Sequence, residues 1–181
     1  LLKIRGIKKI IIYSRDEFKQ QQMRKKIDSK ILRYFIGDIR DKSRLTIATI
    51  GVDLIIHAAA LSSPWGKLDD FYKANVISQR NLIDAAKKHA VKKYIFISTP
   101  SLYFELKNKF NIKESDKLPK KFINDYAATK YQAEMELVKS STPYVILRPR
   151  ALTGRGDTVI MPRLIRAHQE GRLKIIGDGE N

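Results

Sequence analysis

The chain of 181 residues contains no cysteine. That excludes a disulfide framework and thiolate chemistry, and it fits a cytoplasmic setting. No stretch reaches the roughly 18–20 uninterrupted apolar residues of a membrane span. No basic, apolar and small-residue series marks a signal peptide, and no spacing of His, Asp and Glu is assigned to a metal. Acidic charge is also scarce: 19 Asp and Glu face 36 Lys and Arg, a formal net charge of +17. Such an excess raises a nucleic-acid or membrane-surface role. The basic residues, however, are spread along the chain in pairs at 8–9, 25–26, 87–88, 92–93 and 120–121, without aromatic interleaving or a recognition-helix pattern. They read as solvated faces, and neither a nucleic acid nor a membrane is favoured as partner. A phosphate-bearing ligand would be served by the same charge.

What is present is an ordinary globular composition, 43% hydrophobic and 30% charged, of a size for one domain over 1–181. The chain starts at Leu1 and stops in the turn-like "IIGDGEN", so it is expected to be a piece of a longer protein, cut at both ends. Strand-like runs at 8–14, 31–38, 52–60, 92–99, 144–149 and 173–177 alternate with helix-like runs. The helical segments are 15–27, 41–50, 67–90, about 126–139 and about 158–170, and 100–124 is a polar loop. Short greasy strands separated by helices predict an α/β fold with a parallel sheet covered on both faces. In the long helix, Phe71, Val76, Leu82, Ile83 and Ala86 form one apolar stripe.

Ligands of such sheets bind beyond the carboxyl ends of the strands. Those ends carry Ser14-Arg15-Asp16, Gly37-Asp38-Ile39, His57-Ala58-Ala59-Ala60, Ser98-Thr99-Pro100 and Arg148-Pro149-Arg150. Small residues, hydroxyls and charges gather there, as a ligand site requires.

Seven stretches in order, "GDIRD", "VDLIIHAAAL", "ANVISQRNLIDAA", "YIFISTPSLYF", "NDYAATKYQAE", "VILRPRALTGRGDT" and "KIIGDGEN", resemble the extended short-chain dehydrogenase/reductase family. The first third looks like the nucleotide-sugar dehydratases, and the remainder like the 3β-hydroxysteroid dehydrogenase and sugar-epimerase branch. The resemblance implies a Rossmann-like, doubly wound parallel sheet that binds NAD or NADP, with hydride transfer at a secondary alcohol or ketone of a nucleotide sugar. A hydroxysteroid- or hydroxyacid-type dehydrogenase is the alternative, and a non-catalytic dinucleotide-binding relative the second. Homodimers are common in that family.

Tyr-x-x-x-Lys occurs twice, at Tyr103–Lys107 and Tyr126–Lys130. On a helix, residues four apart share a face, and an ammonium beside a phenol favours the phenolate, which suits acid/base work. Only Tyr126 and Lys130 fall in a helical segment; Tyr103 lies in the loop. By the resemblance, Tyr126 moves the hydroxyl proton, Lys130 also bonds the nicotinamide ribose, and Thr99, or failing it Ser98, holds the substrate oxygen. Asp38 and Ile39 would meet adenine, Ala58 and Ala59 would admit the cofactor closely, and Pro149 would lie at the nicotinamide end. Ser14 and Arg15 fit a 2′-phosphate, which leans the reading to NADP, although Asp16 one step later would suit the 2′-hydroxyl of NAD. Arg148, Arg150, Arg155 and Arg163 could meet a nucleotide diphosphate. Pro100 and Ser101 follow Thr99 where dehydratases carry an acid or lysine, which favours epimerisation or simple oxidoreduction over dehydration.

The family's first strand and its Gly-x-x-Gly-x-x-Gly turn are not matched in these 181 residues. The sheet is therefore expected to be incomplete, with an unfilled central slot, and the chain by itself to bind dinucleotide poorly.

Overall fold

The computed structural model describes residues 1–63, 65–154, 156–157 and 159–174. The chain divides into two compact units, Leu1–Arg148 and Pro149–Asn181, and each is described by itself, although one domain over 1–181 was the expectation.

The first unit alternates strand and helix. β1 (Ile10–Ser14), α1 (Glu17–Lys26), β2 (Leu32–Ile36), α2 (Lys42–Ala48) and β3 (Leu54–His57) come first. There follow α3 (Leu68–Phe71), a π-helical stretch (Tyr72–Ile77), α4 (Ser78–Lys88), β4 (Lys93–Ile97), a 3-10 turn (Pro100–Tyr103), α5 (Asp125–Val138) and β5 (Tyr144–Leu147). The strands are all parallel but lie in two sheets: β1 pairs with β2, and β3-β4-β5 form the other. β1 and β3 are not hydrogen-bonded to each other. A cavity of about 230 Å³ lies between them, lined by Ile11 and Tyr13 on one side and Leu54 to His57 on the other. The incomplete sheet and its slot are thus present as expected.

The core forms where the apolar stripe of α4 meets the three-stranded sheet. Leu82, Ile83 and Ala86 pack with Ile55, Tyr94, Phe96, Ala133 and Leu137, all buried. Full burial of side chains of this size contributes about 1.5–3 kcal/mol each. Caps fix the helix starts: Asp16, Asp41 and Asn124 each accept a backbone N–H of the first turn of α1, α2 and α5.

Two local features differ from the sequence reading. The helix expected over 67–90 is interrupted by the π stretch, in which the Asn75 side chain is buried. Its Oδ1 accepts from Leu61 N at 2.8 Å, and its Nδ2 donates to Thr129 Oγ1 at 3.1 Å. Asn75 therefore ties the loop after β3 to α5, and π stretches of this kind are frequent at functional sites. In α1 the inward residue is polar: Gln20 is buried, while Phe18 is exposed. The Gln20 amide donates to the carbonyls of Ser14 (3.1 Å) and Phe35 (3.2 Å), closing the ends of β1 and β2.

In the second unit, α6 (Ile160–Gln169) is preceded by Asp157, whose carboxylate accepts from the amides of Val159, Ile160 and Met161. The expected strand 173–177 lies mostly outside the described residues, as do Arg155 and the "IIGDGEN" motif. No helix among the described residues is long and apolar enough to cross a membrane.

Candidate active site

The strand ends divide into two clusters. The first is at β1 and β2. Tyr13 on β1 donates its hydroxyl to the Asp38 carbonyl at 2.8 Å, and its ring lies so close to Gly37 that a Cβ there would stand 2.6 Å from Tyr13 Cζ. That approach leaves no room for a side chain at 37 unless the Tyr13 ring shifts. The Asp38 carboxylate takes Arg40 Nε at 2.9 Å and Arg40 Nη2 at 2.7 Å, with Arg15 Nη1 at 3.5 Å. The hydrogen bonds from Arg40 hold its carboxyl well below the usual carboxylate range. Arg40 was missed in the sequence; its only signal was its place two residues after Asp38 in "GDIRD". Ile39, Ala58 and Ala59 line the cavity beside this cluster. Ser14 Oγ accepts from the Asp16 amide at 3.1 Å.

The second cluster sits at β4 and α5. Lys130 is almost wholly buried. Its Nζ donates to the Ile97 carbonyl at 2.7 Å and lies 3.9 Å from the centre of the Phe96 ring. Burial lowers its pKa to about 8, with Glu134 acting in the opposite direction. Tyr126 stands one helical turn earlier on α5 and is half-buried. Thr99 caps the 3-10 turn: its Oγ1 accepts from the Ser101 amide at 3.2 Å and donates to Ser101 Oγ at 3.0 Å. Ser98 Oγ is buried without a hydrogen-bond partner. The end of β4 thus brings Ser98, Thr99 and the Lys130 ammonium together.

The other Tyr-x-x-x-Lys match separates from this pair. Tyr103 ends the 3-10 turn, is buried, and donates its hydroxyl to the Glu114 carbonyl at 3.0 Å. Lys107 pairs with Glu105 in the loop, so no helix aligns the two.

Arg148, expected to meet a substrate diphosphate, has an internal partner instead. Its Nε and Nη2 donate to the Glu134 carboxylate at 2.9 and 2.5 Å, and its Nη1 to Tyr103 Oη. The physical reason is that Glu134 is fully buried, and a buried carboxylate needs a paired cation. Glu134 was also missed, although it stands four residues after Lys130 in "KYQAE". Pro149, Arg150 and Arg163 belong to the second unit; Arg163 is carried by α6 and exposed.

Behind the site, His57 at the end of β3 is buried, with Nδ1 2.6 Å from Gln79 Oε1 and 2.9 Å from Tyr94 Oη. Burial first, then the Lys130 charge, lower its pKa to about 4, so the ring is neutral near pH 7.

The cavity itself is lined mainly by apolar residues, among them Ile11, Leu45, Val52, Ile55 and Leu82, with Ala58 and Ala59 at its small-residue side. No glycine-rich phosphate cradle accompanies them in the 181-residue sequence.

The model of the NAD dependent epimerase/dehydratase family matches residues 1–181. A 2-alkyl-3-oxoalkanoate reductase of Stenotrophomonas maltophilia is 35% identical over 150 residues, 80% of this chain and 46% of the reductase. An inverting UDP-N-acetylglucosamine 4,6-dehydratase of Campylobacter jejuni is 48% identical over 94 residues, 50% of this chain and 28% of the dehydratase. Among solved structures, a dTDP-glucose 4,6-dehydratase of Streptomyces venezuelae with NAD bound superposes with a TM-score of 0.81 at 23% identity, covering 98% of this chain and 58% of that one. The fold is therefore the Rossmann-like one of that enzyme, with an incomplete sheet, and the chain spans less than half the length of these two curated relatives. With the family model matched from end to end, this chain belongs to the NAD dependent epimerase/dehydratase family.

Proposed function

We propose that the chain carries the proton-handling part of an NAD(P)-dependent enzyme that oxidises or reduces a secondary alcohol or ketone, with a nucleotide sugar as substrate. The observation that carries this is the seating of Lys130: a buried ammonium bonded to the Ile97 carbonyl at the end of β4, one helical turn from Tyr126. When bound, the nicotinamide cofactor would supply the hydride donor or acceptor.

This chain's own residues would do the rest. Thr99 would hold the substrate oxygen. Tyr126 would give or take the hydroxyl proton, with the ammonium of Lys130 stabilising the phenolate. Lys130 would also bind the ribose. Ser14, Arg15, Asp38, Ile39, Ala58, Ala59 and Ser98 would receive the cofactor. Ser14 and the largely exposed Arg15 at the end of β1 favour NADP over NAD, since an arginine there can accept a 2′-phosphate. Pro149 would meet the nicotinamide end, and Arg150 and Arg163 the substrate phosphates. Pro100 after Thr99 supports epimerisation or oxidoreduction over dehydration.

The test is an assay of the protein that contains this chain, with NAD or NADP, against UDP- and dTDP-sugars and against 3-oxoacyl and 3-hydroxysteroid compounds. Sugar epimers or ketosugars, seen by NMR, are the expected products. Turnover confined to 3-oxoacyl or steroid compounds would replace this reading with the dehydrogenase one, to which the similarity with the oxoalkanoate reductase points.

A further inference from the structure

Trp65 is the one tryptophan of the 181-residue sequence, and it is 82% exposed. A side chain with so much apolar surface is ordinarily well sheltered. Here it stands in the loop between β3 and α3, beyond the carboxyl end of a strand, where ligands of parallel sheets bind.

The loop is held on both sides of the indole. Before it, the Asn75 amide clasps the backbone of Leu61. The Leu61 N–H donates to Asn75 Oδ1 at 2.8 Å, and Asn75 Nδ2 donates to the Leu61 carbonyl at 3.3 Å. The same Nδ2 donates to Thr129 Oγ1 at 3.1 Å, and Thr129 lies on α5 between Tyr126 and Lys130. After it, Gly66 lies so close to the buried Phe71 ring that a Cβ would stand 3.0 Å from Phe71 Cε2. Ser63 folds onto the backbone of the tryptophan itself, its Oγ donating to the Trp65 carbonyl at 2.7 Å. The loop is thus ordered before any ligand arrives, so a ligand meeting the indole need not supply that ordering.

We propose that Trp65 is a substrate-specificity residue, whose indole is the platform for the sugar ring of a nucleotide sugar. The hydrocarbon face of that ring lies flat on the indole, beside the carbon that reacts. The tie through Asn75 and Thr129 joins the platform to the helix that carries Tyr126, so the part of the substrate it meets is the reacting ring and not the nucleotide. The inference rests on the reading of this chain as part of a nucleotide-sugar enzyme.

The experiment compares the parent with Trp65→Ala and Trp65→Phe in the protein that contains this chain. UDP-N-acetylglucosamine and dTDP-glucose are the substrates, and UDP and dTDP the competing inhibitors. Loss of one stacking surface should raise KM about tenfold in Trp65→Ala, with kcat and the UDP and dTDP inhibition constants at parent values. Trp65→Phe, which keeps an aromatic face, should recover most of that loss. A parent-level KM in Trp65→Ala would overturn the proposal, and a lowered urea midpoint with it would make the indole a structural contact instead. Inhibition by UDP and dTDP weakened in step with KM would also overturn it, by moving the contact to the nucleotide. Failure of the nucleotide-sugar reading looks different: the parent itself would turn over neither sugar.

Discussion

Replacing Lys130 by methionine removes a buried charge while keeping a long, flexible side chain. In the folded chain the lysine titrates at about 8 instead of 10.5, because the ammonium has lost water that one carbonyl and one ring replace only in part. A lowered lysine pKa means that the unfolded chain binds the proton more tightly. The penalty is therefore fully present below pH 8 and is relieved as pH rises from 8 toward 10.5. The gap of 2.5 units between those values corresponds to about 3 kcal/mol. Methionine also gives up the 2.7 Å bond to Ile97, which costs about 1 kcal/mol at any pH. Urea unfolding of both proteins at several pH values between 7 and 10.5 isolates the titrating part, since the other lysines cancel in the difference. Lys130→Met should be the more stable at pH 7, and its advantage should shrink by about 3 kcal/mol by pH 10.5. A difference that stays constant with pH, or grows, would refute the claim that Lys130 is held charged at a cost.

Three further outcomes are expected. Gly37→Ala should destabilise the chain by about 1–3 kcal/mol in urea unfolding, because the new methyl meets the Tyr13 ring that carries the Asp38 bond. His57 is neutral when folded and titrates near 4, below its unfolded value, so its stabilisation is lost as pH falls from about 6.5 toward 4. The parent should lose on the order of 3 kcal/mol more than His57→Asn across that window in urea unfolding. Calorimetry of the 181-residue chain with NAD or NADP should give weak binding or none, and tight binding would show that the glycine-rich cradle is dispensable.

The parallel α/β architecture was legible because its signals are local. Short β-branched runs such as "IIIYS" and "YIFI" cannot be solvated, and the stripe from Phe71 to Ala86 needs a sheet to cover it. That Tyr126 and Lys130 share one helix was legible from their spacing, whereas Tyr103 ends a 3-10 turn with Lys107 in the loop beyond it. What was not legible depends on pairing across long separations. Arg148 reads as a free cation until α5 brings Glu134 to it, 14 residues away in sequence. Arg40 reads as a loop residue until its guanidinium folds back on Asp38. Nothing local in the sequence marks Gln20 and Asn75 as buried, yet their side chains close strand ends and bridge to α5. Polar residues inside are visible only when their partners are.

The most direct test of the account is Tyr126→Phe in the protein that contains this chain, with turnover and cofactor affinity measured together. Removing the phenol should lower turnover by about 10²–10⁴-fold and leave NAD or NADP affinity unchanged, because the Lys130 seat at Ile97 and Phe96 does not involve the lost hydroxyl. Turnover at the parent level would contradict the assignment of Tyr126 as the residue that moves the proton.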